Sequence, residues 1–394
     1  MSQALPRPVK LLGLTSLFTD AATEAIYPLL PVFVTRILGG NPASLGVIEG
    51  AADATSSVLK LLAGRWSDQS GRRKPFVVAG YGIAGFVRPL IAFASTWQHV
   101  FLVRVSDRVG KGLRGAPRDA MLGAFAPEGE RGHVFGFHRA MDHAGAVVGP
   151  LLATGFLWLA PGGYRTLFGL TIVPGVIALV MLLFVPEAAV ARSERSPQTA
   201  AVGSVSSLPR ELKRFLVILT VFTLGNSSDA FLLLRLSDAG LATELLPLAW
   251  SGLHVVKAGL STYGGALSDR HGRRELIISG WILYAVVYAG FAASHSLFAF
   301  LTWFLIYGVH FALVEGSEKA LVSDLARNHA QGTAFGWYNA VLGFGALAAS
   351  LLFGFLWQSV GPAAAFFTGA ALAVAAAVIL ALDRSLVAAH RSGQ

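Results

Sequence analysis

The chain has 394 residues, of which 54% are hydrophobic and 13% charged, with a formal net charge of +9 and a mean hydropathy of +0.60. So little charge excludes an ordinary soluble domain, which needs a more polar surface. The absence of cysteine excludes a disulfide framework, a thiol nucleophile and a thiolate metal site.

Apolar stretches of ~20 residues, the length a helix needs to cross a bilayer, recur from end to end. They are longer and more continuous than the ~10-residue alternating strands of a membrane barrel. The reading is therefore an all-α membrane protein with twelve transmembrane helices. The basic start "MSQALPRPVK" runs straight into the first of them and reads as a membrane helix rather than a removed signal peptide. The first six spans are placed at 11–37, 43–65, 75–96, 98–122, 133–158 and 163–186. A Ser-, Ala- and Arg-rich segment follows and reads as a flexible linker. The second six are placed at 213–237, 241–264, 275–294, 296–322, 333–358 and 361–382. The domain boundaries are 1–187, a linker at 188–212, and 213–394.

Lys and Arg gather in every second loop. Arg7 and Lys10, Arg72 to Lys74, Arg131, the linker, Arg270 to Arg274, Arg327, Arg384 and Arg391 lie on one side, and the other carries little more than Arg36 and Arg165. By the positive-inside rule both termini are cytoplasmic. The charge of +9 is thus a topology signal and not a nucleic-acid surface.

Ionisable residues also fall inside the apolar spans, where each costs ~2.5–3.5 kcal/mol and marks a functional site by default. Asp20 and Glu24 are four apart on one helix face, roughly 14–20 Å in from the start of span one at 1.5 Å per residue. Glu49 and Asp53 repeat the spacing in span two. Arg104, Arg108 and Lys111 share a face of span four, where Asp107 is positioned to pair with Lys111. Arg88 precedes Pro89 in span three and reads as structural. His138 and Asp142 share a face with Gly145 in span five. In the second half Asp229, His254 and Lys257 stand at comparable depths, with Arg235 nearer the outer end. Asn226 and Ser227 either coordinate a substrate or ion, or bond neighbouring carbonyls. The spacing of carboxylates and histidines suggests no metal site.

The two halves repeat. "GRWSDQSGRRK" from Gly64 returns as "GALSDRHGRRE" from Gly265, with Asp68 and Asp269 201 residues apart. "RGHVFGFHRAMDHAG" from Arg131 aligns with "QGTAFGWYNAVLGFG" from Gln331 at a shift of 200. Gly71 and Gly272 sit where a very short turn must reverse the chain. Gly145, Gly149 and Pro150 read as a close helix contact with a bend.

On these motifs the chain resembles the major facilitator superfamily of transporters over its whole length. The repeated D-x-x-G-R-R resembles the signature of the family's loops between spans two and three and between eight and nine. "RVGKG" resembles the span-four signature with Lys111 in place of glutamine, and "GAVVGP" the span-five signature of proton antiporters, without the glycine pair that usually follows. The resemblance implies two pseudo-symmetric six-helix bundles and a cavity bordered in the first half by spans one, two, four and five. It implies a conformational latch of Gly64, Asp68, Gly71, Arg72 and Asp119, with Arg72 pairing Asp119 and Asp68 facing the start of helix eleven near Gly332. Asp269, Gly272 and Arg273 form the second copy.

In a low dielectric a carboxyl favours its protonated form and a neighbouring guanidinium favours the anion. Asp20, Glu24, Asp53 and Asp229 are therefore read as proton carriers, with Arg108 as partner to the first two. Glu49, Arg104, Arg108, Lys111, His138, Asp142, Asn226, Arg235, His254 and Lys257 are read as substrate-binding. The expected function is a proton-coupled exporter of a small polar or amphipathic organic compound, acting as a monomer in the inner cell membrane with protons as coupling ion and no other cofactor. The basic residues favour, as an alternative, a symporter or exchanger importing an anionic metabolite. A non-transporting sensor is a weaker reading. A membrane enzyme lacks support, since the sequence shows no catalytic triad spacing and no phosphate-binding glycine loop.

Overall fold

The computed structural model describes residues 5–127, 131–187, 208–326 and 331–383, without the side chains of 68, 131, 132, 261–266, 268–270, 331 and 332. Most of the linker, the basic tail at Arg384 and Arg391, Arg327, and the side chains of Asp68, Arg131, Asp269 and Arg270 lie outside the described residues, as does Gly332 as a packing partner.

The first half runs α1 (Arg7–Ile26), α2 (Pro42–Ser70), α3 (Lys74–Val87), α4 (Trp97–Phe125), α5 (Arg131–Leu159), α6 (Tyr164–Leu170) and α7 (Ile172–Leu183). The second runs α8 (Arg210–Gly225), α9 (Ala230–Asp238), α10 (Leu246–His271), α11 (Arg273–Ala293), α12 (Leu297–Leu325), α13 (Gln331–Ser359) and α14 (Pro362–Leu382). The described residues contain no strand. Prolines mark where helical winding changes. Pro28 and Pro31 fall where α1 passes through a tighter and then a wider turn to reach Ile37, and Pro89 falls in the tight turn Arg88–Phe93 that prolongs α3.

Among the described residues, eight helical segments are long and apolar enough to cross a membrane. Neither α2 nor α4 is among them. Glu49, Asp53 and Lys60 dilute the first, and four arginines, a lysine and two aspartates dilute the second.

The chain divides into two compact units. One comprises Met1–Gly40, Ala51–Thr199 and Ala242–Ser251, and the other Asn41–Gly50, Ala200–Leu241 and Gly252–Gln394. In the first, α1 packs on α5 and α7, and α3 on α4 and α7. In the second, α8 packs on α13 and α14, and α11 on α12 and α14. The internal sequence repeat is thus also a repeat of packing.

Small residues set the close contacts. At Gly149 an added Cβ would run into the backbone of Ala21 on α1, and at Gly145 it would meet Asp20 Cβ at 3.0 Å. Gly225 and Gly369 bring α8 and α14 together in the same manner. The reversals after α2 and α10 rest on Gly71, at φ +64°, and Gly272, at φ +96°, where an L side chain is strained.

One predicted element is corrected. The span expected as a continuous helix over 213–237 unwinds at 226–229, between α8 and α9. Asn226 leaves the helix at φ −93°, ψ 82°, and the Gly225 carbonyl accepts from Tyr284 OH at 2.9 Å instead of a helical N–H. Ser227, Ser228 and Asp229 are residues whose side chains compete for backbone hydrogen bonds. Ser228 Oγ does so here, accepting from Ala230 N at 3.3 Å.

Replacing Gly149 by Val is expected to destabilise the protein by about 1–3 kcal/mol through overpacking of α1 against α5. A lowered thermal-unfolding midpoint of the detergent-purified protein measures it, with Gly155→Val, at a glycine with open space around it, as the neutral comparison.

Candidate functional site

In the first unit α4 presents Arg104, Arg108, Lys111, Arg114 and Arg118 at three- and four-residue intervals along one side. Acids from the neighbouring helices meet this row. Asp20, on α1, lies within electrostatic reach of Arg114 and Lys111, and also of Glu24 and Asp142. Lys111 in turn feels Arg108, Asp20 and Asp53. Asp20, Glu24, Asp53, Lys111 and Asp142 are therefore drawn into one charged region.

Glu24 Oε2 accepts from Trp250 Nε1 at 2.8 Å. Trp250 belongs to the Ala242–Ser251 stretch of this unit and lies with its ring 5.0 Å from that of Tyr27. The Arg104 guanidinium stands 5.5 Å from the Tyr27 ring centre, so an acid, two aromatic rings and a cation share one corner. Asp142 accepts from Ser16 Oγ at 2.6 Å and pairs with His138 Nδ1 at 3.5 Å and Arg139 at 3.8 Å. Arg118 NH1 donates to Ser16 Oγ at 3.4 Å, which ties α4 to the same cluster. Arg114 is 6% exposed and stacks 4.4 Å from the Tyr81 ring centre. Its NH1 has no hydrogen-bond partner among the described residues.

Several expected pairings are different. Asp107 does not pair with Lys111. It turns to α3, where Arg88 NH2 donates at 2.8 Å, and Arg108 lies 3.8 Å away. Arg88 also donates to the Thr19 carbonyl at 3.3 Å, a tie between α3 and α1 that fits the structural reading. Asp107, rather than Asp20 or Glu24, is thus the carboxylate in ion-pair range of Arg108. Glu49 is buried in the Asn41–Gly50 stretch assigned to the second unit, one turn before Asp53 on α2.

In the second unit the site forms around the unwound 226–229 segment. Asp229 accepts from Tyr307 OH at 2.7 Å and pairs with Lys257 at 3.6 Å. Lys257 Nζ also lies 3.4 Å from the Phe311 ring centre. Ser227 Oγ bonds Tyr288 OH at 3.2 Å. Asn226 is the residue at which α8 ends, and its N–H donates to the Thr223 carbonyl at 3.1 Å. His254 lies a turn before Lys257 on α10. Arg235 stands apart at the end of α9, over the Phe300 ring at 4.6 Å.

The turn after α2 corrects another pairing. Asp119 accepts from Nε and NH2 of Arg118, at 3.1 and 2.9 Å, while Arg72 is exposed. The adjacent arginine reaches this carboxylate, so the expected Arg72–Asp119 bond is not the one formed. Arg73 turns inward and donates from NH1 to the Ala120 carbonyl at 3.3 Å. Glu187 accepts from the backbone N–H groups of Arg73 and Lys74, at 2.9 and 3.0 Å, where α3 presents unpaired donors. In the second copy Arg273 does pair with an acid, Asp324 at 2.9 Å. Gly64 lies close to Ala116 of α4.

Sequence reasoning missed Ser16, Arg114, Arg118, Glu187, Trp250, Tyr284, Tyr288, Tyr307, His310 and Glu318. Arg114 and Arg118 continue the span-four spacing and were open to discovery. The tyrosines and tryptophans carry no periodic signal that separates a site from a core. Among the described residues no group of three His, Asp or Glu side chains is placed to hold a metal. A groove of about 390 Å³ lined by Leu17, Phe18, Ala21, Gly149, Phe156 and Pro174 is almost wholly apolar and separate in character from the charged region.

The Major Facilitator Superfamily profile matches residues 12–259 and 236–393. An uncharacterised MFS-type transporter of Methanocaldococcus jannaschii is 34% identical over 382 residues, covering 95% of this chain and 94% of that protein. The quinolone resistance protein NorA of Staphylococcus aureus is 26% identical over 155 residues, 39% of this chain and 38% of NorA. The crystal structure of a D-xylose-proton symporter superposes with a TM-score of 0.75 at 18% identity, covering 95% of this chain and 96% of that one, and so shares the fold. A packing pattern repeated in two units, a profile match along nearly the whole sequence and a relative 34% identical over 95% of the chain agree: the chain is a transporter of the Major Facilitator Superfamily.

Proposed function

We propose that this transporter is a proton-coupled exporter of a small polar or amphipathic organic compound. It works by alternating access between two pseudo-symmetric bundles of six transmembrane helices, 1–187 and 213–394, joined by a linker at 188–212. Both termini are cytoplasmic, the membrane is the inner cell membrane, and the working form is a monomer. The observation that carries the reading is the charged region of the first unit, where Asp20 lies in reach of both carboxylates and cations. Groups of both signs at membrane depth let a proton and a substrate compete for the same carboxyls.

Asp20, Glu24, Asp53 and Asp229 are the proposed proton carriers. Asp20 is flanked by Arg114 and Lys111, and Glu24 has the Trp250 indole as donor. Asp229 has Tyr307 and Lys257, so in each unit a carboxyl faces a partner that responds when its charge is lost. Proton entry supplies ~2.3 kcal/mol per charge per 100 mV of membrane potential. The Gly64, Asp68, Gly71, Arg72 and Asp119 turn and its second copy are proposed as the latch that closes one side of the cycle. NorA, a quinolone resistance protein, supports the export direction. The five cations of α4, and the unpartnered Arg114 NH1 among them, favour the second reading, import or exchange of an anionic metabolite.

A thermal-shift screen against metabolites and antibiotics, beginning with a quinolone, identifies a ligand, and Arg114→Met is expected to lose the ligand-induced rise in midpoint. Proteoliposomes then decide the direction. Acid-loaded vesicles diluted into alkaline buffer accumulate the ligand if the protein is an antiporter. Accumulation only with the opposite gradient rejects export in favour of symport. Asp20→Asn and Glu24→Gln are each expected to reduce gradient-driven uptake to that of empty vesicles. Undiminished coupling in the double variant moves the proton site away from α1.

A further inference from the structure

Glu318 lies in the last third of α12 and is 4% exposed. Its Oε1 accepts from Trp281 Nε1 at 3.1 Å and its Oε2 from Tyr338 OH at 3.0 Å. These partners come from the two helices packed beside it, an indole from α11 and a phenol from α13, and both are neutral. The charged groups that reach it most strongly are Lys319 and Glu315, on its own helix. They are about half exposed and paired with each other at 2.9 Å. Glu318 therefore differs from Asp107, which is equally buried but held by Arg88. A buried carboxylate with only neutral partners bears a desolvation cost that taking up a proton removes.

The two partners fit both states of the carboxyl. An indole N–H only donates, so it keeps Oε1 as an acceptor whether or not the group is ionised. A phenol both donates and accepts. With Glu318 ionised, Tyr338 donates to Oε2. With Glu318 protonated on Oε2, the new O–H donates to the Tyr338 oxygen, and the phenol hydrogen turns away by rotation about its C–O bond. One proton is taken up, no other covalent bond changes, and neither carboxyl oxygen loses its partner.

The repeat makes the position distinctive. Two hundred residues earlier the same three places hold Tyr81, Arg118 and His138. The register is set by packing, since Gly80 abuts Arg114 and Gly280 abuts Val314. In the first unit the central side chain is a guanidinium bonded to Asp119, and a guanidinium stays charged. In the second it is a carboxyl, a group that takes up and releases protons.

We propose that Glu318, clasped by Trp281 and Tyr338, is a proton-binding site of the second unit. It deepens the proton-coupled reading, on which its part in transport rests, by adding a carboxyl outside the Asp20 and Asp229 clusters.

Infrared difference spectra of the full chain in lipid, recorded between alkaline and acid buffers, test the site without any transported compound. The expected result is a carboxylic-acid C=O band that is lost in Glu318→Gln and displaced in Tyr338→Phe. A pH-difference spectrum identical in wild type and Glu318→Gln overturns the proposal. Should Glu318→Gln not fold, Tyr338→Phe and Trp281→Phe carry the decision, and a C=O region unmoved in both overturns it. Gradient-driven quinolone uptake by the wild type separates the two readings. A Glu318 band without such flux keeps the proton site and counts against proton-coupled quinolone export. Flux without the band keeps coupling and rejects the site.

Discussion

An ionised side chain drawn into a membrane-spanning helix has to find an opposite charge or a dense set of donors, and the first unit is arranged around that requirement. Five cations occupy one helix, α4, and carboxylates come to them from α1, α2 and α5. The Arg88–Asp107 pair shows how binding the constraint is. Both side chains are 4% exposed, and removing one partner of such a pair typically costs about 3–5 kcal/mol because the other charge is left buried. Charge matching thereby fixes which face α3 turns to α4. It leaves Asp20 and Lys111, which have more than one neighbour of either sign, as the groups whose partners can change.

Charges of this density come together only if the helices approach closely, and glycine makes the approach possible. Gly145 and Gly149 let α5 lie on the backbone of α1 beside Asp20. That contact places Asp142 within 2.6 Å of Ser16, one turn before Asp20. Lipid offers no hydrophobic drive for helix association, so such contacts rest on shape and polar bonds. In the second unit Gly225 and Gly369 bring α8 and α14 together at the end of α8, where Tyr284 takes the freed carbonyl.

The legible part of the molecule was the part written in periodicity. Each expected span corresponds to helix in the structure, and the acids of α1 and α2 and the cations of α4 share faces because four-residue spacing admits no other result. Pairing was less legible, because it depends on which of several nearby partners geometry favours. Asp119 had Arg72 as its family-implied partner, yet the adjacent Arg118 reaches it first. Glu187 stood at the edge of the linker with no periodic signal, and its role as acceptor for the start of α3 appears only in three dimensions. The unwound 226–229 segment had a local cue in two serines before an aspartate, but the decisive partner, Tyr284, lies 59 positions away from the carbonyl it satisfies.

The two units solve the same packing problem with different chemistry. In the first, α4 is too charged to register as an apolar span, whereas its counterpart α12 is among the most apolar in hydropathy. Where the first unit has Arg88, the second has Tyr288, and Tyr284, Tyr307 and His310 join it in ring contacts near Asp229. Aromatic hydroxyls donate or accept as needed and carry no permanent charge. Glu318, held by an indole and a phenol, therefore changes protonation without stranding a cation, whereas Asp229 releases Lys257, and a carboxyl among guanidinium groups releases an arginine, when it is protonated. Duplication supplied one scaffold twice. At matching positions, Arg118 against Glu318 above all, one copy holds a guanidinium bonded to Asp119 and the other a carboxyl clasped by an indole and a phenol.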